Sequence, residues 1–207
     1  RLGMGYLPQE RSVFQRLSVR DNLLAVLEAL PYDRKQRHAE AERLMGELEI
    51  EHLAVEPVQI AYLSTRARRD PGATAEAMGN AYFEILNFID DNGLDDAGAP
   101  LAITRTFVGA DMLFDAAIPV RGLTAATPTD GPGVRVGTTY GGPVIRVRHV
   151  GSYRNLAVTH RKIAAYLAAH GIERGGDAWE SYVSDPAKVA EEDLLTYVYY
   201  PVIANQR

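Results

Sequence analysis

Cysteine is absent from this sequence, which excludes disulfides and thiolate metal sites. A cytoplasmic location fits that absence. No run of about eighteen apolar residues occurs, so no segment reads as a membrane-spanning helix, and none reads as a signal peptide. An excess of basic residues is missing as well: 22 Lys and Arg face 27 Asp and Glu, for a net charge of -5. A broad positive field is therefore lacking, and direct binding of nucleic acid is not expected. Several catalytic signatures are also missing. There is no G-x-x-x-x-G-K-[ST] loop to cradle phosphates, no G-x-S-x-G nucleophile elbow, and no pair of histidines one helical turn apart. The five histidines show no ligand spacing, so neither a metal nor any other cofactor is expected. What is present is ordinary for a globular protein. With 46% of 207 residues apolar, the chain can bury a sizeable core in one generous domain, or in one domain with an appendage. It opens at Arg1, without methionine and inside what reads as a structured segment, which suggests a piece of a longer product.

The chain divides into two unlike pieces, residues 1–53 and residues 55–204. In the first, Ser18 stands where an N-cap would, with Asp21 three residues on. Val19, Leu23, Val26, Leu27 and Leu30 then recur at helical spacing until Pro31. A second helix carries Ala41, Leu44, Met45 and Leu48 on one face. Two short amphipathic helices bury little alone and need a partner surface. The run Gly5-Tyr6-Leu7-Pro8-Gln9-Glu10, then Val13-Phe14, Leu17-Ser18-Val19 and Asp21-Asn22-Leu23, resembles the Q-loop and helical arm of ABC-transporter ATPases, the lipopolysaccharide-export type in particular. That resemblance implies a metal- and water-contacting role for Gln9. The phosphate-binding loop, the signature loop and the magnesium-holding acidic strand are missing, so ATP hydrolysis is not expected and Gln9 reads as a solvated loop residue.

From Pro57 the pattern changes to strands and helices, and it occurs twice. The first copy, about residues 55–122, has a strand at Pro57–Leu63 and a helix from about Ala73 to Asp91. Ala75, Met78, Tyr82, Ile85, Leu86 and Ile89 line one face of that helix. Asn92-Gly93 closes it. Two strands follow, Leu101–Phe107 and Met112–Val120. The second copy, about residues 134–204, has a strand at Val144–Val150 and a helix from about Asn155 to Ala169, with Leu156, His160, Ile163 and Leu167 on one face. The paired strands are Trp179–Val183 and Leu194–Val202. Val134–Tyr140 adds a strand leading into this copy. The endings Ile118-Pro119-Val120 and Tyr200-Pro201-Val202 fall in matching places. The expected fold is α+β: two strand-helix-hairpin repeats forming a concave antiparallel sheet, with helices on the other face and a short helical segment in front. Two halves side by side leave a groove at their seam.

Three elements of the second copy occur in order: His149-Val150-Gly151-Ser152-Tyr153, Trp179-Glu180-Ser181-Tyr182-Val183-Ser184-Asp185-Pro186, and the closing strand to Pro201-Val202. Together they resemble the gyrase-inhibitor-like family, also met as the effector-binding domain of AraC-type and MerR-type regulators. The resemblance covers about 150 residues and implies a pocket for hydrophobic, often cationic, small molecules. A subset of that family hydrolyses reactive compounds.

Glu180 is the leading site candidate. Strand alternation puts Glu180, Tyr182 and Ser184 on one face. That face could meet solvent, which would leave Glu180 an ordinary surface charge. If it points inward instead, an unpaired carboxylate there costs several kcal/mol. Such a site either favours a cationic ligand or raises the carboxyl pKa for proton chemistry. Alternation alone leans towards solvent, and the family resemblance towards the pocket. Tyr182 and Tyr153 are candidate aromatic walls. Tyr197 and Tyr199 share a face and are carried as ligand-binding candidates, with Tyr200 on the other; one face is expected to be pocket and one core, and alternation leaves open which. Tyr62, Tyr82 and Phe107 are candidates for the opposite wall. Trp179 reads as a core anchor, His149 and His160 as structural histidines, and the run Arg66, Arg68, Arg69 as a solvated loop. Three functions follow as expectations. The first is capture of a small amphiphilic or aromatic molecule. The second is hydrolysis with Glu180 as general acid or base. The third is accessory work beside an ABC assembly. A homodimer through the exposed apolar helix pair is a further expectation.

Overall fold

The computed structural model describes residues 49–125, 127 and 133–203, together with 24, 27, 28 and 33–37. Gln9, Ser18, Asp21 and the apolar positions from Ala41 to Leu48 lie outside the described residues. Within the amino-terminal piece Leu27 is helical and buried. A second helical stretch, 34–37, opens with a reciprocal cap: the Gln36 amide donates to Asp33 Oδ1 at 2.8 Å, and the Asp33 amide to Gln36 Oε1 at 2.9 Å.

The rest is one antiparallel sheet with two helices. The strands are β1 (Ile50–Val55), β2 (Gln59–Arg68), β3 (Asp95–Asp96), β4 (Leu101–Val108), β5 (Asp111–Arg121), β6 (Arg135–Thr138), β7 (Gly142–Val150), β8 (Trp179–Tyr182) and β9 (Leu195–Pro201). Helix α1 spans Pro71–Asp91 and α2 spans Leu156–Ala169, the latter after a short 3-10 turn at Tyr153–Asn155. The sheet order is β1-β7-β9-β8-β4-β5-β2-β6, with β3 beside β5. The fold is thus α+β with two repeats: β2-α1-β4-β5 and β7-α2-β8-β9. They meet where Ala102 of β4 pairs with Glu180 of β8.

The edges differ from the sequence expectation. Strand β6 does not join the copy it leads into; it pairs with β2 of the first half. Strand β1, which begins at Ile50 inside the piece assigned to the helical segment, pairs with β7 of the second half. Each half therefore receives its outer strand from the chain that precedes the other half. Such pairings join residues roughly 70 to 100 positions apart, and no local pattern reports them. The expected loop at Arg66 and Arg68 is also strand: β2 runs on to Arg68, and Arg66 Nε donates to Asp111 Oδ2 at 2.7 Å across to β5.

Both helices lie on one face of the sheet. Ala81, Ile85 and Ile89 of α1 pack with Ala61, Phe114, Ala116 and Ile118. Leu156, Ile163 and Leu167 of α2 pack with Ile145, Val147, Val198 and Tyr200. The helix ends repeat as well. Gly93 (φ 60°) and Gly171 (φ 62°) take the left-handed position after each helix, where a side chain would be strained. The following Leu94 and Ile172 amides then return to Ile89 and Leu167 at 2.9 Å. The helix starts differ. Asp70 Oδ1 accepts from the Gly72 and Ala73 amides at 3.0 Å ahead of α1, whereas a glycine turn at Gly151 and Ser152 precedes α2. On the other sheet face Ile60, Leu101, Ile103, Ala117, Val144 and Trp179 form a third cluster. Among the described residues no helix is long and apolar enough to cross a membrane.

Candidate functional site

Strand β8 is the inner strand of the second half, bordered by β9 and, across the seam, by β4. Its alternation points Glu180 and Tyr182 to the helix face, beside Ala102 and Val198, and Trp179 and Ser181 to the other. Glu180 therefore sits under the helices, its side chain only 16% exposed. Helix α2 lays His160 over it. The imidazole Nε2 donates to Glu180 Oε1 at 2.6 Å, and Nδ1 lies 2.8 Å from the Tyr200 hydroxyl. The Tyr182 hydroxyl donates to Glu180 Oε2. Both carboxylate oxygens thus have a donor, and Tyr200 holds the far side of the ring.

A ring of aromatic and polar groups surrounds this core. Tyr153, from the turn before α2, meets Tyr182 edge-on, with centroids 5.3 Å apart. Tyr182 packs against the cores of both halves. Tyr82 of α1 donates to the Leu101 carbonyl at 2.9 Å and feels the charge of Glu180. Behind the carboxylate, buried His149 lies 2.8 Å from the Thr159 hydroxyl and 3.2 Å from the Ser152 carbonyl. Donation to that carbonyl places the ring hydrogen on Nε2 and leaves Nδ1 to accept from Thr159. Thr196 pairs with both His149 and Tyr182 on this face; it is fully buried, and its hydroxyl has no hydrogen-bond partner among the described residues.

The electrostatics follow from these contacts. Burial raises the Glu180 carboxyl pKa, but the bond and charge of His160 and the Tyr182 hydroxyl outweigh it, and the carboxyl is held below its ordinary value. Of the two expected alternatives, cation attraction or a raised carboxyl pKa, the second is not found. Glu180 is a carboxylate at neutral pH, fit to attract a cation or accept a proton, and poor at donating one. Burial, then the Glu180 charge, pushes the Tyr182 hydroxyl well above its usual value and Tyr82 above its own. Burial raises Tyr200 to about 12, and burial with the charges of Asp185 and Glu180 raises Tyr153. Burial lowers His149, so its ring is neutral.

Of the residues proposed from sequence, Glu180, Tyr182, Tyr153 and Tyr82 come together here. Tyr62, Tyr197 and Tyr199 do not. They lie on the opposite sheet face, where Tyr199 stacks on Trp179 at 4.7 Å, Arg146 covers Tyr197 at 4.6 Å and Arg135 covers Tyr62 at 4.9 Å. The reason is pleating: Tyr197 and Tyr199 pair with Ser181 and Trp179, so they cannot share the face of Glu180. Phe107 sits at the end of the β4–β5 hairpin beneath Arg69, away from the seam. A shallow cavity of about 350 Å³, lined by Val58, Gln59, Ala97, Pro119, Val120 and Arg121, is also remote from Glu180. Sequence reasoning missed His160 and Tyr200 as members of the site. The signal for His160 was its place on the inward face of α2; nothing local tied it to Glu180. Among the described residues no group of three His, Asp or Glu side chains gathers as metal ligands do.

Comparison with known proteins agrees with this architecture. A family model described as a GyrI-like small molecule binding domain matches residues 49–203. The crystal structure of the EcmrR C-terminal domain superposes with a TM-score of 0.64 at 12% identity, covering 75% of this chain and 98% of that one. The structure of SAV2435 bound to tetraphenylphosphonium gives 0.53 at 10% identity, covering 75% and 94%. At these identities the likeness is one of fold. The lipopolysaccharide export system ATP-binding protein LptB of Acidithiobacillus ferridurans is 51% identical over 53 residues, which are 26% of this chain and 22% of that protein. A stretch of this length agrees with the ATPase-like amino-terminal piece. The chain spans about a quarter of the length of the first curated relatives it matches.

Proposed function

This chain belongs to the GyrI-like small molecule binding domain family, and from that premise we propose that it holds a small hydrophobic organic cation against the Glu180 carboxylate, at the seam between its two halves. The observation that carries this reading is a carboxylate kept ionised under two helices and walled by Tyr182, Tyr153 and Tyr82. A low-exposure anion attracts a cation more strongly than a surface carboxylate does, and aromatic faces add cation–π attraction and contact area. The tetraphenylphosphonium bound to SAV2435 is a hydrophobic cation, and it makes a suitable probe.

A thermal-shift titration with tetraphenylphosphonium tests the proposal. A ligand at 100 times its Kd stabilises the native state by about 2.7 kcal/mol, or roughly 5–10 °C in Tm for a chain of this size. Glu180→Gln removes the charge while keeping the shape, and should lose most of that rise. Equal shifts in both proteins would remove Glu180 from the site. The ionised Glu180 also suits a general base, which favours a hydrolytic reading as the second choice. Product formation from an activated ester, lost in Glu180→Gln, distinguishes it.

A further inference from the structure

Glu180 is not a bare anion in this structure. Its two oxygens are occupied by His160 and Tyr182, and the charge of the site depends on which form of His160 is present. As imidazolium, His160 neutralises Glu180 and the pair carries no net charge. As neutral imidazole, it leaves the full negative charge of Glu180. We propose that His160, backed by Tyr200, is the specificity-determining residue of the cation site, and that a permanent organic cation binds with release of the His160 proton. This rests on the reading of the site given above and adds the coupling.

The arrangement around His160 lets that proton leave without breaking a hydrogen bond. In the imidazolium, Nε2–H donates to Glu180 and Nδ1–H donates to the Tyr200 oxygen. In the neutral ring, Nε2–H still donates to Glu180, while the Tyr200 hydroxyl turns and donates to Nδ1. A hydroxyl is the partner that can do both. The proton goes to solvent and no covalent bond between heavy atoms changes. A quaternary cation has no N–H to offer and cannot replace either donor on Glu180. From Glu180 it gains only through the charge, and that charge is exposed to it once the histidine is neutral.

The neighbours leave His160 as the group to supply the proton. Tyr182 on β8, Tyr82 on α1, Tyr153 on the turn and Tyr200 on β9 are all phenols raised above their ordinary values, and they stay protonated through neutral pH. His149 on β7 is buried between Thr159 and the Ser152 carbonyl, and burial lowers its pKa, so it gives up its proton at a lower pH than an ordinary histidine. Arg174, after α2, covers the Tyr200 ring at 5.0 Å. Lys162 on α2 acts on His149, and Asp185 after β8, held below its ordinary value by the Ala187 amide and Lys188, acts on Tyr153.

Calorimetric titration of the whole chain with tetraphenylphosphonium tests this. It is run in two buffers of different ionisation enthalpy, between about pH 5.5 and about pH 8, where histidine changes charge. The expected result at the acid end is release of about one proton per cation bound, with affinity rising up to about tenfold per pH unit and levelling off at the alkaline end. His160→Gln keeps an N–H donor and has no proton to lose; it should bind with no proton release and a flat pH profile. If that variant fails to fold, the wild-type histidine resonances followed by NMR serve instead, and tetraphenylphosphonium should shift the His160 titration to lower pH. Binding without proton release in the wild type, or with equal release in His160→Gln, overturns the coupling and leaves the cation site standing. Absence of binding at every pH in the wild type and the variant overturns both.

Discussion

The two halves share a scaffold and differ in what they bury. Under α1 the sheet presents Ala61, Phe114, Ala116 and Ile118, and the helix answers with Ala81, Ile85 and Ile89. From that side the Tyr82 hydroxyl reaches the seam, and it goes to a backbone carbonyl. Under α2 the equivalent space holds His149, Thr159, His160, Glu180, Tyr182, Thr196 and Tyr200 beside its apolar core. An apolar interior would be sufficient to hold a helix on a sheet, as the first half demonstrates. Buried polar groups cost stability unless each is satisfied. The first half's buried carboxylate, Asp115, lies on the opposite sheet face with Ser64 and Arg105, so the concentration of polar groups under α2, next to the seam, is what the proposed cation site rests on.

The comparison can be broken most sharply at the shared part. Ile85 and Ile163 are fully buried under their respective helices. Ile85→Ala and Ile163→Ala should each cost about 3 kcal/mol in chemical denaturation, near the middle of the range for buried aliphatic truncations. A large cost in the first half and a small one in the second would mean that α2 is held by the polar cluster instead. The next effect belongs to the second half alone. A double-mutant cycle of His160→Gln and Glu180→Gln should give a coupling of roughly 1–3 kcal/mol, the scale of a sheltered hydrogen bond to a charged group.

Acid should act on the second half in the same sense through two groups. The folded-state pKa of His149 is depressed, chiefly by burial, so its contribution is present above the ordinary histidine value and is lost as pH falls through the folded one. Glu180 is also depressed, so its contribution is present above the ordinary carboxylate value and lost at still lower pH. Melting temperature should therefore decline in two stages on acidification, and His149→Gln should flatten the first stage. An unchanged slope in that variant would assign the decline elsewhere.

How much of this was legible in the sequence follows the range of each interaction. Alternation and helical spacing located β4, β5, β7, β9, α1 and α2 closely, because each pattern is local. Asn92-Gly93 marked the end of α1 for the same reason. The exchange of β1 and β6 between halves was not legible, since an edge strand carries no mark of its partner. Pleating told that Tyr199 and Tyr200 point apart, but not which one lies under a helix. His160 and Glu180 each stood on a recognisable face, and only the packing of α2 over β8 joined them. Arg66 and Arg68 read as loop by charge, yet an outer position in β2 opposite Asp111 keeps them in the strand.

Smaller effects sharpen the comparison further. Thr196 is fully buried with an unpartnered hydroxyl, so Thr196→Val should be neutral or stabilise by up to about 1 kcal/mol. A loss of similar size would reveal a partner for that hydroxyl. Smallest of all, Arg66→Ala in the first half removes an exposed ion pair with Asp111, and should change stability by less than about 0.5 kcal/mol.

The most direct measurement of the central claim is a crystal structure of the chain with tetraphenylphosphonium. The account predicts the phosphonium beside Glu180 on the helix face, with Tyr182, Tyr153 and Tyr82 around it. Density for the cation against Trp179 and Tyr199, on the opposite face of the sheet, would contradict it.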